Sequence, residues 1–157
     1  MKHIFTPNAP TPGAYSQGVL DGRTLSLSGQ TGNDPAHPKQ DIVNGGVGPQ
    51  TMQALENLLA VVVAAGGDIH SFVSLRVYLK DSSGSRAADN IAEGRRQEDW
   101  VTYNKAYRAF FAEHGRNDLP AREQVWVVDI PLPNEPTLVE VSGIAVISLR
   151  NKKKTRG

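Results

Sequence analysis

The sequence predicts an α+β fold in the order ββαβαββ, a mixed sheet with two helices packed on one face. Three observations predict it. Asp21-Gly22 separates two short extended segments, a strong hairpin signal. Apolar residues recur at helical spacing around 52–65 and again around 100–111. Segments rich in Val, Leu and Ile, two of them alternating with a period of two, follow the helices.

Pro7, Pro10, Pro12 and Gly13 predict an extended, irregular entry. Residues 14–19 and 23–28 read as the first two strands, and the Gly-, Pro-, Asn- and Asp-rich stretch 29–48 as a loop. The first helix starts near Pro49, whose missing N–H is not needed in a first turn. Met52, Leu55, Leu59 and Val62 form its apolar stripe, widened by Leu58, Val61 and Ala65. Gln50, Gln53, Glu56 and Asn57 take the other side, and Gly66-Gly67 supplies a left-handed stop. In residues 72–80, Val73, Leu75, Val77 and Leu79 alternate with polar neighbours, the pattern of a half-buried strand. The polar stretch 82–98 reads as an inserted surface loop. A second helix over 99–114 turns Trp100, Tyr103, Tyr107, Phe110 and Phe111 inward. Strands over 124–130 and 137–148 close the fold around a turn at 131–136.

The 157 residues fit one domain, spanning 1–149, with a basic tail at 150–157 expected to be disordered. There is no cysteine, which excludes disulfides, thiolate metal sites and a thiol nucleophile. Four histidines, His3, His37, His70 and His114, lie at no ligand spacing, so no metal site is expected. The net charge of +1 supplies no field for nucleic acid. The basic tail has no aromatic residue beside it to stack on bases. Gly45-Gly46-Val47-Gly48 lacks the Gly-Lys-Ser/Thr of a phosphate loop. The longest apolar run, Leu58–Ala65, is too short to span a bilayer, and no apolar leader follows Met1. The chain therefore reads as cytoplasmic. Two helices on one face leave the other face of the sheet uncovered in a monomer, which favours oligomerisation.

Two residues stand out chemically. Arg122 follows Pro120-Ala121 at the start of a strand, and its planar guanidinium can grip a carboxylate through paired hydrogen bonds. A surface arginine or a structural ion pair is the competing reading. Glu140 sits among Leu138, Val139, Val141 and Ile144, where burial would raise its pKa and make it a base for water. Its competing reading is an outward-facing strand residue.

Several segments together resemble the YjgF/Rid family of reactive-intermediate deaminases, also called L-PSP or translation-inhibitor-like proteins. They are Asn8-Ala9-Pro10, Pro12 to Val19, Ser28-Gly29-Gln30, and Gln50, Gln53, Asn57, Leu58 and Ala64-Ala65-Gly66. Asn104, Tyr107, Phe110 and Phe111 continue the match, followed by Pro120-Ala121-Arg122, Leu132-Pro133, Glu140 and Ile144-Ala145. The likeness runs in order from Asn8 to Ala145. It implies a chorismate-mutase-like fold, a homotrimer with sites between subunits, and hydrolysis of imines of the 2-aminoacrylate class to a 2-keto acid and ammonia without a cofactor. It implies that Arg122 binds the substrate carboxylate and Glu140 orients water. Tyr15, Ser28, Gly29 and Asn104 fill further substrate-binding motif positions. Gln124 stands where many members carry Cys, which predicts a pocket of different size and polarity. A non-catalytic sensor of small carboxylates and a ribonuclease are the rival readings; the first shares Arg122, and the second has no basic groove to support it.

Overall fold

The computed structural model describes residues 1–10, 13–37, 39, 41–81, 90–131 and 136–148, with backbone only at 90–93. The expected motif positions Pro12, Leu132 and Pro133, and the basic tail, lie outside the described residues. Among the described residues, six strands and two α-helices follow one another along the chain. They are β1 (Lys2–Ile4), β2 (Gly18–Asp21), β3 (Thr24–Thr31), α1 (Val47–Ala64), β4 (Phe72–Lys80), α2 (Asn90–Glu113), β5 (Ala121–Val127) and β6 (Val139–Val146). The sheet order is β1-β2-β3-β6-β4-β5. β4 and β5 run parallel and all other neighbours antiparallel. α2 is the crossover that lets β5 return parallel beside β4.

The helices cover one face. Leu55, Leu58, Val61 and Val62 of α1 and Tyr103, Phe110 and Phe111 of α2 meet Leu75, Val77 and Leu79 of β4 and Val139, Val141 and Ala145 of β6, all fully or almost fully buried. Each of these Leu, Val and Phe side chains contributes about 1.5–3 kcal/mol on burial. The opposite face is uncovered, and there Val125 and Ile144 are about half exposed.

Several boundaries move. A first strand, β1, precedes the two expected ones and pairs with β2 through Lys2↔Leu20 and Ile4↔Gly18. Asp21 and Thr24 close the β2–β3 hairpin around Gly22, which has φ +58°, a conformation that glycine adopts without strain. α1 begins at Val47, so Pro49 occupies the third helical position. Its nitrogen still falls within the first turn, where amide hydrogens have no helical partner. At the other end Gly67 N–H donates to Val62 O and Gly66 N–H to Val63 O, with Gly66 at φ +94°. That pairing is the left-handed stop expected from Gly66-Gly67.

α2 starts at Asn90, so residues 90–98, expected as loop, are helical. Arg95, Arg96, Gln97 and Glu98 are good helix formers whose uniformly polar face hides the period on which a sequence reading depends. Arg96 anchors this turn to the end of β4 by an ion pair with Asp81 at 2.8 Å. Trp100, expected inside, is 44% exposed. β5 begins three residues earlier than expected and ends at Val127. No helix among the described residues is long and apolar enough to cross a membrane.

Candidate active site

The sequence-derived site residues fall into two groups, because two of their strands project them to opposite faces of the sheet. Arg122 pairs in register with Leu75, and Gln124 with Val77. Leu75 and Val77 point into the core beneath the helices, so Arg122 and Gln124 are on that side. Glu140 lies between the core residues Val139 and Val141 and therefore projects to the uncovered face.

Arg122 is seated by α2. Its guanidinium lies 4.7 Å from the Tyr107 ring centroid and 5.2 Å from that of Tyr103, the geometry of cation–π attraction. Nη2 donates to Asn104 Oδ1 at 2.9 Å, and Asn104 Nδ2 donates in turn to Trp100 O at 2.7 Å. Only one orientation of the amide serves both partners, since the guanidinium can only donate and the carbonyl only accept. Asn104 takes one of the five N–H donors of Arg122, and among the described residues no carboxylate pairs with it. Burial pushes the Tyr107 phenol up to about 12 and raises Tyr103 further, so both rings stay neutral beside the cation. The Tyr107 hydroxyl is buried and without a hydrogen-bond partner among the described residues, whereas the Tyr103 hydroxyl is in reach of the Arg122 guanidinium. Asn104, Tyr107, Leu119, Pro120 and Arg122 face a cavity of about 280 Å³. Gln124 is not among the residues lining that cavity.

Glu140 has a second cavity, about 520 Å³, walled by Pro10, Tyr15, Ser28, Gly29, Thr31 and Ile130 among others. Burial raises its carboxyl pKa, as its apolar neighbours in the sequence predict. Tyr15 is also raised, first by burial and then by the negative charge of Glu140, and remains a phenol donor. Gly29 makes room for the carboxylate: a Cβ there would overlap Glu140 Oε1. Ser28 is tied down, its Oγ donating to Ser16 O at 2.6 Å and its N–H to Gln17 O at 3.0 Å.

Three buried amides that the polar-side assignment or the motif match leaves without a role build this second cavity. Gln50 and Asn57, expected on the exposed side of α1, are 2% and 0% exposed. Gln50 accepts from Leu138 N–H at 2.8 Å and donates to Pro136 O at 3.0 Å, fixing the approach to β6 and hence Glu140. Asn57 Nδ2 donates to Thr31 O and Asn33 O, each at 2.9 Å, and holds the end of β3. Gln17 accepts from Thr6 N–H and donates to Thr6 O and Ala9 O, binding residues 6–10 to the cavity rim. A buried amide can satisfy two or three backbone groups at once, which an apolar residue cannot.

Comparison with known proteins decides the family. A family model described as endoribonuclease L-PSP matches residues 6–100. The chain belongs to this family. Among curated proteins, the L-PSP family chain is 36% identical over 146 residues to the 2-iminobutanoate/2-iminopropanoate deaminase of Escherichia coli (strain K12), covering 92% of this chain and 97% of that one. It is 35% identical over 144 residues to a RutC family protein of Pyrococcus horikoshii, covering 90% and 94%. Among solved structures, E. coli TdcF with bound serine superposes with a TM-score of 0.75 at 32% identity, covering 94% of this chain and all of that one. The YjgF gene product of E. coli gives 0.74 at 34% identity, covering 93% and 98%. The α+β expectation is met, with the mixed six-stranded sheet and two helices described above.

Proposed function

We propose that the chain hydrolyses reactive 2-imino acids of the 2-iminopropanoate class to 2-keto acids and ammonia, in sites shared between two copies of the chain, most simply in a homotrimer. The observation that carries this reading is the seating of Arg122. A guanidinium stacked on two tyrosines, oriented by Asn104 and left without a carboxylate partner among the described residues beside a cavity is built to receive a carboxylate. That the E. coli relative is named a 2-iminobutanoate/2-iminopropanoate deaminase supports the substrate class. The serine bound in TdcF is likewise a small α-substituted carboxylate.

Glu140, the water-orienting residue of this proposal, lies on the far face of the sheet from Arg122. A second copy supplying the other cavity resolves this, and the exposed Val125 and Ile144 offer an apolar surface for the association. Once the cavities face each other, Arg122 holds the carboxylate and presents the C=N carbon. The Glu140 carboxylate takes a proton from water as the oxygen attacks that carbon, the C=N electron pair moves to nitrogen, and Glu140 returns the proton to that nitrogen. Collapse of the carbinolamine expels ammonia and leaves the C=O bond. The electrophile is already activated, so positioning and one base suffice. Tyr15, with its phenol protonated, can hydrogen-bond the developing hydroxyl from the rim of the Glu140 cavity.

The test is ammonia release from 2-iminopropanoate generated in situ by a pyridoxal-phosphate dehydratase. Wild type should accelerate it and Arg122→Ala should lose the acceleration. An Arg122→Ala protein as fast as wild type would remove Arg122 from the reaction. No acceleration by wild type, with small carboxylates still bound through Arg122, would instead identify a sensor.

A further inference from the structure

The cavity at Arg122 is bordered by a second arginine. Arg108 lines it together with Asn104, Tyr107, Leu119, Pro120 and Arg122. Asn104 and Arg108 are four residues apart on α2, so they rise from the same helix face one turn apart. Arg108 is exposed, and among the described residues no carboxylate pairs with it or with Arg122. Arg96 and Arg116, by contrast, each have an acidic partner, Asp81 and Asp118. Two uncompensated guanidinium groups around one concavity repel each other and concentrate positive potential there. A ligand with a single carboxylate satisfies one of them. Leu119 and Pro120 give the same cavity an apolar wall, which suits a short methylene chain between two charged ends.

We infer that Arg108 is a specificity-determining residue that receives a second carboxylate, so that the preferred substrate is the imine of a dicarboxylic amino acid. The inference rests on the carboxylate-binding role proposed for Arg122 and deepens it. Arg122 takes the carboxylate next to the imine carbon, Arg108 takes the distal one, and the hydrolytic step at C=N is unchanged.

Binding and turnover test it separately. Dissociation constants for 2-oxoglutarate and 2-oxobutanoate are measured by calorimetry on wild type, Arg108→Gln and Arg108→Lys. In parallel, kcat/KM is measured for 2-iminoglutarate and 2-iminobutanoate generated in situ by amino-acid oxidases. Wild type should prefer the dicarboxylate, and Arg108→Gln should lower that preference about tenfold, the value of one charge-assisted contact in a partly desolvated site. Arg108→Lys, which keeps the charge without the planar fork, should fall between. Arg108 is exposed, so the substitutions leave the core untouched, and circular dichroism verifies the fold. A preference ratio that does not change, whether both acids weaken together or neither does, overturns the inference, as does failure of wild type to bind 2-oxoglutarate. If the ratio changes in binding while neither imine is hydrolysed, Arg108 still receives the second carboxylate, and it is the deaminase reading, with its imine substrate, that fails.

Discussion

If each site takes Arg122 from one copy and Glu140 from another, two dead variants should rescue each other. The structure shows why one chain cannot supply both. Arg122 is opposite Leu75 and Glu140 opposite Tyr78, three residues further along β4, on the strands that flank β4 on either side. Their backbones are therefore about 10 Å apart across the sheet and about 10 Å apart along it, roughly 14 Å in all. Their side chains then diverge to opposite faces. A three-carbon imino acid cannot touch both.

Arg122→Ala should lose at least about a hundredfold in kcat/KM through lost positioning, and Glu140→Gln a similar amount through the lost base. When the two are unfolded, mixed in equal amounts and refolded, a site is intact only if its arginine comes from the Glu140→Gln chain and its glutamate from the Arg122→Ala chain. In a closed ring assembled at random, about one quarter of the sites meet that condition. Ammonia release from 2-iminopropanoate should recover to about one quarter of wild type, far above either parent. A second mixture, wild type with the double variant, separates the alternatives further. Sites built across subunits retain about one quarter of the activity, and sites built within one chain about one half. No recovery in the first mixture together with one half in the second would refute the shared site.

Gly29→Ala should cost little stability, because the atom in its way is the mobile end of Glu140, but it should expel that carboxylate from its seat. We expect kcat to fall about ten- to a hundredfold with KM less affected, read by steady-state kinetics. Tyr107→Phe keeps the ring beside Arg122 and deletes a buried hydroxyl that has no partner among the described residues. It should raise stability by about 1 kcal/mol in urea unfolding, and a loss of similar size would mean the hydroxyl is paired. Glu140→Gln should change the pH dependence of stability. The folded carboxyl titrates above its ordinary value of 4.5, so its contribution is fully present below that pH and is lost as pH rises through the raised folded value. The variant should therefore gain in thermal midpoint over wild type above this window and match it near pH 4; a constant difference at all pH values would contradict the shift.

The fold is legible in the sequence wherever one face of an element is apolar and the other is not. β4 and the buried stripe of α1 have that contrast, and the Asp21-Gly22 turn and the Gly66-Gly67 stop have the required residues at the required places. The start of α2 is not legible, because residues 94–98 are exposed or partly exposed and carry no apolar stripe. The ion pair of Arg96 with Asp81, between residues 15 apart, ties that turn to the end of β4. β1 is three residues long and pairs with residues far along the chain, Ile4 with Gly18 and Lys2 with Leu20. Local pattern contains no trace of either contact.

The candidate site is legible one residue at a time but not as an arrangement. Arg122 and Glu140 each stand out by type and setting. Their separation onto opposite faces depends on strand order and on counting alternation from Leu75 and Val141, neither of which a linear reading provides. Gln50 and Asn57 are misjudged for a related reason, and Gln17 is matched without a structural role. Polarity places an amide outside, yet each of these is buried because loop backbone without a strand partner must bond to something. Arg108 illustrates the reverse case. In sequence it is one more exposed helix cation, with nothing to separate it from Lys105 beside it. Folding brings it to the rim of the Arg122 cavity, where its charge is available to a ligand as well as to solvent. An exposed charge thus acquires a role from the concavity it borders and from the lack of an opposing charge, which are properties of the folded surface alone.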